Sequence, residues 1–349
     1  AKPEQIIFTS EKGQIQAKEF ANVITNFALH LKHNGVESQD LVGLDIDDTI
    51  IALAMVTALG AIGASWIKIN QTALKAQLPI KHVVHSSNSL YHGASIMTVD
   101  HSWFVPPSVT KFKIEGYKDA NDLWMIAQSS GSTGQVKFMP ITFKNYWHRV
   151  WDMNRSMFDP TIEHFASFYQ PLKTSALYHT VGAIMRGIKV VVDIDPNKII
   201  QHRRLFCLGS VMQAHNFVKS IEKPLEPYDS VIEVSGAAVT RDNLENWLQF
   251  FKTVHVTYGS TETTRTYIRS YTSADEFKGD MGKPVMPDIG AEIVDDNDQL
   301  VAADIVGNIR LPKTARHVDY YINDPQTSNE HFKFGYFYPG DCGYKDADG

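Results

Sequence analysis

Cysteine is nearly absent from this sequence: two in 349 residues, Cys207 and Cys342. They stand far apart and match no metal-ligand spacing. That excludes a disulfide scaffold and reads as two free thiols of a reducing compartment. A basic excess is lacking too. Lys and Arg number 33 against 39 Asp and Glu, a formal net charge of −6, the wrong sign for a nucleic-acid surface. No apolar run approaches the about 20 residues that span a bilayer. The first residues, Ala1-Lys2-Pro3-Glu4-Gln5, lack the basic and apolar architecture of a secretory signal. Internal repeats, low-complexity tracts and Pro/Ser-rich linkers are missing as well. What remains is a cytoplasmic-type globular protein without a membrane or nucleic-acid partner. Its hydrophobic share of 43% and charged share of 21% are near the globular averages, and its length is about twice that of a domain of about 150 residues.

The patterning alternates helices and short apolar strands. Val23, Ile24, Phe27 and Leu31 recur with the spacing of a helix that buries one face. Gly35 stops that helix, Leu41–Leu44 reads as a buried strand, Thr49–Leu59 as a helix and Ser65–Ile69 as the next strand. The rhythm returns with strands at Lys189–Ile194, Val231–Val234 and Val254–Tyr258. Thr240 is placed to cap a helix whose apolar stripe is Leu244, Trp247, Leu248 and Phe251. After about residue 280, Gly and Pro become frequent and short strands (Ala291–Val294, Gly307–Leu311) alternate with Asp/Asn turns. The expected fold is α/β: two helix-covered, mostly parallel sheets plus a small antiparallel β-subdomain. The expected division is 1–120, 121–279 and 280–349.

Three segments carry chemistry. Ser129-Ser130-Gly131-Ser132-Thr133-Gly134-Gln135-Val136-Lys137 follows the apolar Leu123–Ala127 strand. Its glycines let backbone N–H groups converge on an anion, its hydroxyls add donors and Lys137 adds charge. It is not the G-x-x-x-x-G-K-[ST] loop, and a plain polar loop has the same composition. Tyr258-Gly259-Ser260-Thr261-Glu262-Thr263 lies at a strand's carboxyl end, where open α/β sheets bind ligands. A ring there can stack on a base, a hydroxyl can reach phosphate and a carboxylate can hold Mg²⁺; a polar turn is the alternative. In Gly335-Tyr336-Phe337-Tyr338-Pro339-Gly340-Asp341, the Asp can accept from vicinal hydroxyls or simply initiate the next turn.

Taken together and in this order, the segments resemble the core motifs of the adenylate-forming superfamily, which holds acyl-CoA synthetases, peptide-synthetase adenylation domains and luciferases. Ser129–Lys137 is similar to [ST]-S-G-[ST]-T-G-x-P-K, with Val136 for the proline. Ser235–Ala238 is similar to S-G-G-A, with Ala237 for the second glycine. Tyr258–Glu262 matches Y-G-x-T-E in full, and Met281–Pro284 resembles the G-K-P turn. Gly335–Gly349 is similar to G-W-F-x-T-G-D-x-G-x-x-D-x-D-G, with Tyr336 for Trp and Pro339 for Thr.

The resemblance implies ATP-dependent activation of a carboxylic acid to an acyl-adenylate with pyrophosphate release, then transfer to a thiol of coenzyme A or a carrier protein. It implies that Ser130, Gly131, Ser132, Thr133, Gly134 and Lys137 form the phosphate loop, and that Thr261 contacts the α-phosphate. Glu262 would hold Mg²⁺, Tyr258 stack on adenine, Gly236, Ala237 and Ala238 follow the base edge, and Asp341 accept the ribose hydroxyls. Two alignments compete for the acyl pocket, one through Tyr178-His179 and one through Lys173-Thr174; Gly259 is counted with it. Residues 171–182 hold no acid to pair an α-ammonium, so an aryl or fatty acid is expected over an amino acid. Trp147, Trp151, Met153 and Met157, at near-helical spacing, are expected in the core. A hinge residue and a C-terminal domain carrying a catalytic lysine follow in the family beyond the position of Gly349, and without them adenylation is expected to be slow. A peptide-synthetase-type domain and a non-catalytic nucleotide-binding module are the rival readings.

Overall fold

The computed structural model describes residues 2–86, 94–108, 113, 115–130, 136–156, 159–193, 195–347 and 349; at Ser130 and residues 152–156 it describes the backbone alone. Three sheets organise the chain. In the first, strands Ser95–Thr98, Ile80–His85, Leu41–Asp45, Ser65–Lys68 and Leu123–Ser130 run parallel in that spatial order, and Val136–Thr142 closes the edge antiparallel. The helix Thr49–Ile62 starts where the Asp48 carboxylate accepts from the Ile51 N–H, and it ends at Gly63, whose φ is 84°. Most of its surface is apolar and buried, as befits a helix enclosed by other elements.

The second sheet has nine strands. Phe251–Ser260, Tyr228–Ser235, Leu205–Ser210, His164–Ser167, Lys189–Val191 and Ile6–Ser10 are parallel, and antiparallel neighbours extend both edges. The two sheets exchange strands across residue 120: Ile6–Ser10 pairs with Lys189–Val191, whereas Leu123–Thr142 belongs to the first sheet. The third sheet is small and antiparallel, built on Gly307–Pro312. The expected fold class holds. No described helix is long and apolar enough to cross a membrane.

Three local expectations need correction. The strand expected over Lys189–Ile194 covers Lys189–Val191; Ile194 lies outside the described residues. The helix capped by Thr240 spans only Arg241–Trp247, and Phe251 opens the next strand, opposite Tyr228. In the helix Phe143–Ser156, the buried face is Asn145, Arg149 and Val150, which turns Trp147 and Trp151 outward at 49% and 42% exposure. Those two rings stack on each other at 6.2 Å instead of entering the core. Met157 and the Met153 side chain lie outside the described residues. Cys207 is buried, with its thiol pKa pushed up by burial, and Cys342 is exposed.

Candidate functional site

A cavity of about 460 Å³ opens where the three sheets meet. One wall comes from the hairpin Leu123–Ser130/Val136–Thr142, whose register sets Ser129 opposite Lys137. Gly131, Ser132, Thr133 and Gly134, which join the strands, lie outside the described residues, and Ser130 is described only as the end of its strand. Lys137 lines the cavity. Its Nζ stands 4.6 Å over the Tyr321 ring and 3.4 Å from His331 Nε2. His331 Nδ1 lies 2.5 Å from the Tyr338 carbonyl. A carbonyl only accepts, so Nδ1 carries the proton and Nε2 is left to accept from the lysine.

The second wall is the hairpin Phe251–Ser260/Thr264–Tyr271. It turns so tightly that a Cβ on Gly259 would sit 2.0 Å from the Thr264 carbonyl oxygen, which only glycine avoids. The turn carries Thr261 and Glu262 into the cavity. The Tyr321 hydroxyl donates to Glu262 Oε1 at 2.9 Å. The Tyr258 hydroxyl donates to Asp341 Oδ2 at 2.5 Å, joining the second sheet to the third. Gly236 also lines the cavity at a φ of 86°. Ala237 and Ala238 do not line it; both are exposed just past the strand end.

At the far end, the helix Thr174–Met185 presents Thr174, Ser175, Tyr178 and His179, with Lys173 just before it. Both candidate alignments of the acyl pocket therefore meet in one wall. Tyr169 and Leu208 complete it. The same end holds a buried ion pair, Arg265 Nη1 to Glu233 Oε2 at 2.6 Å, with His179 Nε2 3.7 Å from Glu233 Oε1. Burial alone would raise the Glu233 pKa, but Arg265 and then His179 hold it well below the usual carboxylate range.

Several cavity residues escaped the sequence reading: Arg149, Arg265, Tyr321 and His331. Glu233 directly precedes the Val234-Ser235-Gly236 strand end, and that adjacency was its one signal. Arg149 has none, because its partners lie 29 to 167 residues away, two of them in the Thr261–Glu262 turn.

Among the described residues, no three His, Cys, Asp or Glu side chains cluster to hold a metal by themselves. Glu262 supplies one hard carboxylate, the donor that suits a magnesium ion arriving on substrate phosphates.

A model of the AMP-binding enzyme family matches residues 1–313. The chain belongs to that family. This AMP-binding enzyme is an adenylate-forming ligase of the acyl-CoA synthetase type, which uses ATP to turn a carboxylic acid into an acyl-adenylate with release of pyrophosphate. A curated relative, the 2-succinylbenzoate–CoA ligase of Geobacillus sp. (strain WCH70), is 22% identical over 371 residues, covering 99% of this chain and 73% of its own length. The o-succinylbenzoate CoA synthetase of Bacillus subtilis in complex with ATP and magnesium ion superposes with a TM-score of 0.86 at 19% identity, over all of this chain and 76% of that one. The same enzyme with the acyl-adenylate intermediate OSB-AMP gives 0.86 at 19% identity, over 100% of this chain and 74% of that one. The two chains share a fold.

Proposed function

We propose that this AMP-binding enzyme activates an aryl or other non-amino carboxylic acid and passes the acyl group to coenzyme A, a carrier-protein thiol being the alternative acceptor. One observation carries the reading. Lys137 from the first sheet, Tyr258, Thr261 and Glu262 from the second, and Asp341 beside the third line one cavity that continues into an aromatic acid end. Lys137, Thr261 and the phosphate loop around Ser132 and Thr133 bind and align the triphosphate. Glu262 holds Mg²⁺, which supplies charge neutralisation when bound. The Tyr258 ring and the Gly236 backbone take the adenine, Ala237 and Ala238 flank it, and Asp341 takes the ribose. Alignment of carboxylate and α-phosphate, both anions, is the main catalytic demand on these residues.

The acid end supports an aryl substrate. It carries the rings of Tyr169, Tyr178 and His179 but one aliphatic side chain, Leu208. An α-ammonium would need a free carboxylate, and Glu233 is already neutralised by Arg265. The names of two curated relatives, which specify 2-succinylbenzoate and CoA, agree with both choices. The same reading divides the chain into subdomains 1–120, 121–279 and 280–349, the first two exchanging strands, and assigns the enzyme to the cytoplasm, where its two free thiols stay reduced. Calorimetry with non-hydrolysable acyl-sulfamoyl adenosines tests it. A benzoyl-type compound should bind far more tightly than adenosine or benzoate alone, and an aminoacyl one should not. Equal weak binding of all of them would refute the reading.

A further inference from the structure

Arg149 is 1% exposed, and among the described residues none of its hydrogen-bond partners is a carboxylate. Its fork is spent on neutral oxygens from three places. Nε donates to the Arg316 carbonyl at 2.6 Å, Nη1 to the Tyr178 hydroxyl and the Thr261 carbonyl at 3.2 Å each, and Nη2 to the Glu262 carbonyl at 2.9 Å. A buried cation with only neutral acceptors is costly unless every donor is met in a fixed geometry. The helix Phe143–Ser156 is itself pinned, because Asn145 Nδ2 donates to the Ala315 and His317 carbonyls. Thr261 and Glu262 lie in a turn between two strands, outside the sheet ladder. Beyond Arg149, the Glu262 carbonyl accepts, among the described residues, only the Val318 N–H, at 3.1 Å.

We propose that Arg149 is a positioning residue for the reaction: by holding the two carbonyls of the Thr261–Glu262 turn, it aims the Thr261 hydroxyl and the Glu262 carboxylate at the magnesium-bound triphosphate, and through Tyr178 it fixes that turn against the acid end. The proposal rests on the roles assigned above to Thr261 and Glu262. It does not involve Tyr258 or Asp341, so adenosine, which has no phosphates, is the internal control.

The test measures two quantities by calorimetry: adenosine affinity, and the Mg²⁺ concentration that half-saturates ATP binding. Arg149→Lys keeps the charge and loses the fork. It should raise the magnesium half-saturation at least about tenfold, which is about 1.4 kcal/mol, and leave adenosine affinity within about twofold. A purely structural role would move both together or neither. If Arg149→Lys is too unstable to bind adenosine, Tyr178→Phe reads the same geometry on a smaller scale by removing one acceptor of Nη1. A rise of about twofold to threefold in magnesium half-saturation, with adenosine unchanged, supports the proposal; no rise overturns it. Parent-like magnesium dependence in Arg149→Lys overturns the role of Arg149 alone, whereas a parent protein whose ATP binding ignores magnesium overturns the assignment of Glu262.

Discussion

The Tyr258 hydroxyl donates to the Asp341 carboxylate at 2.5 Å across 83 residues of sequence. The two residues expected to hold adenine and ribose thus hold each other. The contact and burial raise the tyrosine's pKa, with burial the larger cause. Ribose hydroxyls would have to displace this donor, so the two side chains should respond oppositely to mutation. Asp341→Ala should weaken ATP binding by about 1.5–3 kcal/mol, the range for hydrogen bonds to a charged group. Tyr258→Phe keeps the ring and should bind ATP as tightly as the parent or better. Isothermal titration distinguishes the two.

Glu262→Gln should abolish the magnesium dependence of ATP binding while leaving the fold intact. The amide oxygen can still accept from Tyr321, but it lacks the charge a hard cation requires. Thermal unfolding should change little, and titration of ATP with and without Mg²⁺ should give the same affinity. A parent-like magnesium effect would remove Glu262 from the metal site.

Stability should fall on mild acidification. His317 is buried, and its pKa is pushed down to about 3, first by burial and then by Arg149, Arg316 and Lys313. Its Nδ1 accepts from the Thr314 N–H at 2.7 Å. The folded state keeps it neutral while the unfolded chain takes up a proton near pH 6.5, so the unfolded state binds more protons and stability declines as pH drops. The loss between pH 7 and 5 should be about 2 kcal/mol for such a histidine, and burial shifts His255 the same way. Urea unfolding at the two pH values measures it. His317→Asn, whose side-chain oxygen can still accept from Thr314, should flatten the slope.

The cavity residues Lys137, Tyr258, Thr261, Glu262 and Asp341 were legible in the sequence because each sits in a short contiguous segment. Tyr258, Thr261 and Glu262 share one hairpin, and Gly259 betrays its tightness. Of the wall at the other end, Thr174, Tyr178 and His179 were legible, but Tyr169 and Leu208 were not, because each enters singly from a different segment. Periodicity placed Trp147 and Trp151 on one helical face but could not say that Arg149 and Asn145 face inward. A buried polar face looks like a solvated one when its partners are distant backbone carbonyls. The end of the Thr240 helix failed for a related reason: Leu248 and Phe251 extend the helical pattern, but pairing with Tyr228 draws Phe251 into the sheet.

The proposed substrate preference rests on the Glu233–Arg265 pair. The enzyme should favour an aryl acid over any α-amino acid by at least about tenfold in kcat/KM, which needs about 1.4 kcal/mol of discrimination. Glu233→Ala leaves the Arg265 charge buried and should destabilise the fold by about 3–5 kcal/mol, a loss that denaturant unfolding would show.

Acid-dependent exchange of labelled pyrophosphate into ATP tests the central claim most directly, because it requires the acyl-adenylate to form and revert. With Mg²⁺, the protein should catalyse exchange that depends on an added aryl acid, that Glu262→Gln abolishes, and that proteinogenic amino acids do not elicit. ATP binding without exchange for any aryl or fatty acid, or exchange with an amino acid alone, would contradict the account.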